Sequence, residues 1–367
     1  MQEATLAAVP RAMPMRWDLF CRVIDNFGDI GVCWRLAADL GARGQSVRLW
    51  IDDARALAWM APDGARGVQV LPWIEGVEWP EPGEVVVEAF GCDLPPAFIA
   101  RMSGGRPPPL WINIEYLSAE SYVRRSHGLP SPQLSGAGRG LTKWFYYPGF
   151  EDGTGGLICE TQLMAERESF DARAWLQSML ATLGQTVQAD ERVVSLFCYP
   201  DAPVPRLLES LGQQPTLLLL TPGAAAQAVH QAAFCPPAVR CVELPWLRQN
   251  EFDRLLWACE LNFVRGEDSF VRAQWAGAPF VWQIYAQSDD AHATKLDSFL
   301  QLFLAGADAP LATDLRALWR AWNGLGDWPA RLPAQAPWTA AALRWRSGLL
   351  RQRDLATQLL GFVHERR

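Results

Sequence analysis

The segment Asp25-Asn26-Phe27-Gly28-Asp29-Ile30-Gly31 separates two patterns of different period. Before it runs Leu19-Phe20-Cys21-Arg22-Val23-Ile24, apolar enough for a buried β-strand. After it, Val32, Leu36, Ala37 and Leu40 recur at the spacing of one helix face. The segment is therefore a strand-to-helix turn carrying two carboxylates, Asp25 and Asp29. In an open α/β sheet such a turn lies at the carboxyl ends of the strands, where ligands bind. Gly28 and Gly31 let the backbone turn tightly and let another molecule come close.

Further strands are expected at 46–51, 68–71, 84–90 and 110–114, the last set off by Pro107-Pro108-Pro109. Residues 115–160 read as loop-rich, with an aromatic cluster at Lys143-Trp144-Phe145-Tyr146-Tyr147-Pro148-Gly149-Phe150. Loops of that length in a compact domain are usually functional, although the aromatics equally suit pinning loops to the domain. A helix at 170–183 leads to a linker around 184–191. There the alternation restarts, with strands at 193–198, 216–220, 239–244, 261–264 and 280–284 and helices at 204–211, 223–233, 251–259 and 269–275. Helical patterns at 290–304, 311–323, 339–350 and 352–364 close the chain. Alternation of this kind specifies parallel sheets covered by helices. Two Rossmann-like domains in tandem, with a terminal helix run that crosses back, suggest the α/β GT-B architecture of nucleotide-sugar glycosyltransferases. The active site would then be the cleft between the domains. Fold alone does not fix activity.

Composition narrows the classes. The chain has 367 residues, long enough for two domains, and half of them are hydrophobic against 20% charged, so disorder is excluded. The net charge of −7 and the lack of a basic tract disfavour a nucleic-acid partner. Eight cysteines without C-x-x-C spacing and four scattered histidines give neither a disulfide framework nor a zinc site. Residues 1–14 are too polar for a signal peptide, and no apolar run of about 18 residues occurs, so a cytoplasmic protein with no membrane partner is expected.

A second stretch, Asn262-Phe263-Val264-Arg265-Gly266-Glu267-Asp268-Ser269, leaves a strand and opens a helix. The free N–H groups and partial positive charge of a helix start suit a diphosphate. Arg265 would add a bidentate phosphate donor, and Ser269 a helix cap and a hydroxyl. Glu267 would repel phosphate and is assigned to sugar or ribose hydroxyls. The same acidic run also reads as plain helix capping, and Asp25 and Asp29 as a turn held by Asx hydrogen bonds. Asp52-Asp53 invites a dehydrogenase reading, but the turn is Gly28-x-x-Gly31 and not G-x-G-x-x-G. Nor is that pair a D-x-D motif, so no metal cofactor is expected.

Several blocks in one order resemble the bacterial protein-arginine rhamnosyltransferases that modify translation elongation factor P. They are residues 23–32, Trp111-Ile112-Asn113-Ile114-Glu115-Tyr116-Leu117-Ser118-Ala119-Glu120, His127-Gly128-Leu129-Pro130-Ser131-Pro132-Gln133, Ser195-Leu196-Phe197-Cys198-Tyr199, residues 261–269 and Gln287-Ser288-Asp289-Asp290-Ala291-His292. The resemblance implies an inverting GT-B enzyme with dTDP-β-L-rhamnose as donor and an arginine of elongation factor P as acceptor. By the same resemblance Asp29 looks like the general base, Asp25 its support, and Glu267 the essential acid of the C-terminal domain. Phe197, Tyr199, Gln249, Arg265, Gly266, Asp268 and Ser269 fall where the family binds the thymidine diphosphate, and Trp246 stands where relatives resemble one another in a phenylalanine. The implied organisation is a tail at 1–16, an acceptor domain at 17–185 joined by the helix at 350–367, and a donor domain at 186–349. Tyr116, Tyr122, His127 and the cluster near Trp144 are candidates for acceptor recognition. Without the resemblance, a glycosyltransferase acting on a cell-envelope glycan and a non-catalytic nucleotide-binding regulator stay open.

Overall fold

The computed structural model describes residues 14–24, 27–74, 76–285 and 291–367. Asp25 and the stretch Gln287-Ser288-Asp289-Asp290 therefore lie outside the described residues. The first sheet holds β1 (Arg16–Cys21), β2 (Ser46–Ile51), β3 (Val68–Pro72), β4 (Val85–Ala89), β5 (Leu110–Ile114), β6 (Pro130–Pro132) and β7 (Thr142–Tyr146). Its order is β3-β2-β1-β4-β5-β7-β6, parallel except for β6. The second sheet holds β8 (Arg192–Leu196), β9 (Thr216–Leu220), β10 (Val239–Glu243), β11 (Leu261–Arg265) and β12 (Phe280–Gln283), all parallel in the order β10-β9-β8-β11-β12.

Each order reverses direction once among its central strands, between β1 and β4 and between β8 and β11. At such a switch point the loops part and leave a crevice. The Phe27–Gly31 turn follows β1, Phe197 and Tyr199 follow β8, and Gly266 and Glu267 follow β11. Topology thus places these three segments at the two crevices. The terminal helix Leu355–His364 buries Leu355, Leu359, Phe362 and Val363 among Trp17, Leu19 and Val87 of the first sheet's core. The tandem sheets match the expected GT-B arrangement.

Two expectations need correction. The first strand is Arg16–Cys21 and not 19–24. Asp18 enters it because its buried carboxylate is met by the Arg48 fork, Trp50 Nε1 and the Gly83 N–H. Val23 and Ile24 leave it because their N–H groups turn to Asp52 and Asp29, and Ile24 is 63% exposed. The region 115–160 is loop-rich as expected, but it also holds the helix Ser121–Ser126, and its aromatic cluster is largely strand β7, paired with β5. His127 turns inward there, accepting from Tyr147 N–H and packing on Tyr146.

Candidate active site

The strand β11 delivers Arg265 and Gly266 to the cleft. Gly266 adopts φ +66°, a left-handed conformation that favours glycine, and its carbonyl accepts from Trp282 Nε1 at 2.7 Å. The helix Asp268–Ala276 starts immediately after this kink and points its N-terminus at the cleft. The Arg265 guanidinium carbon stands 4.6 Å from the Phe197 ring centre and 4.4 Å from that of Tyr199, with Phe27 of the opposite half 5.8 Å away. Cation–π contacts of this kind orient a guanidinium while leaving its N–H edge for an anion.

The cleft encloses about 690 Å³, open to solvent. Its walls bring together Phe197, Trp246, Gln249, Arg265, Gly266, Asp268 and Ser269, all expected to meet the donor. Tyr199 reaches it through Arg265. Trp246 is 46% exposed and lies against Trp59 (ring centres 4.6 Å apart) and Phe27 (5.5 Å), both from the first half. Trp59 was not anticipated: it sits in a one-turn helix, Leu57–Met60, that has no motif.

The two halves are joined by an ionic cluster around Arg35, which projects from the helix Gly28–Ala42 and is 5% exposed. Its Nε donates to Asp268 Oδ1 at 2.7 Å, Nη2 to Asp253 Oδ1 at 3.0 Å and Nη1 to Glu160 Oε1 at 3.3 Å. Arg272 grips the same Asp253 with two N–H groups at 2.8 Å each. Gln249 Nε2 donates to the Gly31 carbonyl at 3.1 Å and to Asp268 Oδ2 at 3.3 Å. A Cβ on Gly31 would stand 3.1 Å from Asp268 Oδ2, so this glycine permits the approach of the opposite half. Asp268 is thus committed to Arg35 and Gln249, not free for the diphosphate alone. Ser269 does not cap its helix. It lies inside the first turn and its hydroxyl donates to the Arg265 carbonyl, because the helix begins one residue earlier than expected.

Two further carboxylates face one another. Asp29 sits in the first turn of the helix Gly28–Ala42 and is 2% exposed. Its Oδ2 accepts from Ile24 N–H at 2.8 Å and its Oδ1 from Tyr116 Oη at 3.2 Å. Glu267 Oε2 accepts from Leu117 N–H at 2.9 Å. Removal from water pushes the Glu267 carboxyl up to about 7, with Asp29 and Asp268 acting the same way and Lys295 and the Leu117 N–H opposing. Burial conversely lowers the Lys295 ammonium, while Glu267 and Glu120 hold it up. One carboxylate from each half, beside a cleft that holds Arg265, is an arrangement for group transfer between two bound substrates.

Parallel sheets facing across such a cleft define a GT-B glycosyltransferase. Two solved glycosyltransferases share the fold at 13% identity and a TM-score of 0.50, SsfS6 of Streptomyces sp. SF2575 complexed with thymidine diphosphate and the calicheamicin glycosyltransferase CalG4, each covering 96% of this chain and 99% of its own. The family model described as Elongation-Factor P (EF-P) rhamnosyltransferase EarP matches residues 17–364, and the chain belongs to that family. A protein-arginine rhamnosyltransferase of Pseudomonas aeruginosa is 44% identical over 94% of this chain and 98% of its own length. One from Neisseria meningitidis serogroup B is 34% identical over 94% and 96%. A solved structure described as "Structural basis for EarP-mediated arginine glycosylation of translation elongation factor EF-P" superposes with a TM-score of 0.64 at 30% identity, covering 96% of this chain and 99% of its own. The chain is accordingly an enzyme of the protein-arginine rhamnosyltransferase class.

Proposed function

We propose that the enzyme transfers L-rhamnose, with inversion, from dTDP-β-L-rhamnose to one arginine of elongation factor P in the cytoplasm. The observation that carries this reading is the placement of Asp29 in one half and Glu267 in the other, on either side of consecutive residues Tyr116 and Leu117 and next to the Arg265 cleft. In the proposal Trp246 and Phe197 take the thymine, Arg265 and the helix start take the diphosphate, and Glu267 meets donor hydroxyls. No metal takes part. Among the described residues no helix is long and apolar enough to cross a membrane.

An arginine acceptor is chemically demanding. Guanidinium has a pKa above about 12, is planar and delocalised, and is a poor nucleophile. A carboxylate does not deprotonate it in the ground state. Asp29, with Asp25 as its support, instead pairs with the guanidinium, polarises one nitrogen and takes its proton as the C–N bond forms and the dTDP oxygen leaves. An inverting transfer places that base on the face away from the diphosphate, which suits a base and a diphosphate site held on opposite halves.

Incubation with dTDP-β-L-rhamnose and elongation factor P, followed by weighing the acceptor, tests the proposal. A gain of one deoxyhexose supports it. Transfer only to an envelope glycan, or nucleotide binding without transfer, would replace it.

The raised Glu267 adds a pH dependence. Below about 7 the carboxyl is neutral, and above it ionised. A diphosphate arriving at the neighbouring helix start favours the neutral form, so binding of dTDP draws in a proton where Glu267 is otherwise ionised. Affinity for dTDP is expected to fall between pH 7 and 9, with a limiting slope of about tenfold per unit. Glu267→Gln should flatten that slope, read by calorimetry in buffers of different ionisation enthalpy. An equal slope in wild type and variant would remove Glu267 from the donor site.

A further inference from the structure

Tyr116 was grouped with the surface that meets the acceptor, yet its hydroxyl is directed at Asp29. The backbone that carries it is fixed. Glu115 N–H extends the pairing of β5 with β7 by donating to the Tyr146 carbonyl at 2.9 Å. The Tyr116 ring is stacked on Phe90, with centres 4.3 Å apart and planes 10° from parallel. Phe90 takes φ +58°, a left-handed conformation that a bulky residue adopts only where its surroundings impose it. Its N–H donates to the Ile114 carbonyl at 2.7 Å, which locks that kink to β5. The ammonium of Lys295, from the helix Ala291–Phe303 of the opposite half, stands 5.7 Å from the Tyr116 ring centre.

The next residue belongs to the other side. Leu117 is buried in a cluster that joins Phe150 and Leu157 of the first half to Val264, Phe270 and Phe299 of the donor half, and its N–H is bound to Glu267. Two consecutive residues therefore touch the two carboxylates of the site. Tyr116 is stacked on Phe90 of the acceptor half, Leu117 is tied to the donor half through Glu267, and a single peptide unit joins them. If the halves part, Leu117 travels with Glu267, and the Tyr116 hydroxyl is drawn away from Asp29.

We propose that Tyr116 is a positioning residue that completes the base only when the cleft is closed: its hydroxyl orients the Asp29 carboxylate, and the Leu117 link to Glu267 sets that hydroxyl according to the seating of the donor half. The inference rests on Asp29 being the base. It gives the enzyme a physical reason not to present an aligned carboxylate to the acceptor guanidinium before the donor half has closed. Atoms and charges are unchanged by this step; only the orientation of the carboxylate is.

Tyr116→Phe removes the hydroxyl but keeps the ring that Phe90 and Lys295 meet, so the fold is retained. A hydrogen bond to an ionised group is the interaction lost, which corresponds to a fall in kcat of about 10- to 100-fold. The affinity for dTDP should stay within about twofold, because no group of the Arg265 cleft is touched. Asp29→Asn is assayed alongside. Turnover retained by Asp29→Asn would overturn the base reading, and this inference with it. An inert Asp29→Asn beside a Tyr116→Phe with wild-type kcat would overturn the inference alone. So would a Tyr116→Phe in which dTDP binding weakens along with kcat, the mark of a merely structural role.

Discussion

Asp29→Asn is expected to lower kcat for arginine transfer by about 10³-fold while changing the affinity for dTDP by no more than about twofold. The first figure is the middle of the range for a positioned acid–base group. The substitution keeps shape and volume, and the amide oxygen still accepts from the Ile24 N–H, so the first turn of the helix Gly28–Ala42 retains its anchor. On the proposed mechanism, what is lost is the negative charge that polarises the guanidinium and the site that takes its proton. The nucleotide side is untouched, because Asp29 is not among the residues that wall the donor cleft. Rapid-quench or steady-state mass measurement on the acceptor gives kcat, and calorimetry gives the dTDP affinity. Parallel loss of both would make Asp29 a structural residue of the donor site. Undiminished turnover would remove it from the chemistry.

Arg35→Met is expected to be the most destabilising single change in the cleft. Arg35 pairs with Asp253, Glu160 and Asp268, and Arg272 with Asp253 and Glu160. Side-chain exposures of 5% for Arg35, 6% for Asp253 and 14% for Asp268 leave little solvent to take over. Removing one member of a buried ionic cluster strands the others, at a cost of about 3–5 kcal/mol. Methionine fills the volume of the stem, so the loss reads the charge and the hydrogen bonds and not a cavity. Function should fall with stability. Asp268 loses its 2.7 Å partner, and Gln249 loses the fixed neighbour that aims it at the Gly31 carbonyl. Denaturant unfolding reads the first effect, and dTDP affinity, expected to weaken at least about tenfold, the second. Wild-type values for both would show that the halves are held by the aromatic contacts alone.

The two effects differ in how far the sequence announced them. Asp29, Arg265 and Gly266 stand on strand-to-helix junctions, and such junctions are local. A change of period in the hydrophobic pattern marks them, and parallel topology then carries them to a crevice. Strand spans such as Ser46–Ile51 and Leu110–Ile114 were legible to the residue for the same reason. The Arg35 cluster was not, because its partners lie 218 and 233 residues away along the chain and nothing in the helix pattern names them. An arginine inside an apolar helix face was the one signal available. Boundaries failed where polar groups compete with strand or helix. The first strand was read from Leu19 because nothing local names the partners that bury Asp18, and Ser269 was read as a cap because the Glu267–Ser269 run allows several helix starts. Tyr116 illustrates a further limit: sequence placed it next to Glu115 in a recognition segment, but only the stacking on Phe90 shows which way its hydroxyl turns.

A crystal structure with dTDP bound tests the central claim most directly. The account expects the diphosphate within about 3 Å of the Arg265 guanidinium and of the N–H groups that open the helix Asp268–Ala276, with Asp29 across the cleft and the Tyr116 hydroxyl still upon it. A nucleotide seated away from Arg265, or an Asp29 carboxylate turned out of the cleft in that complex, would contradict it.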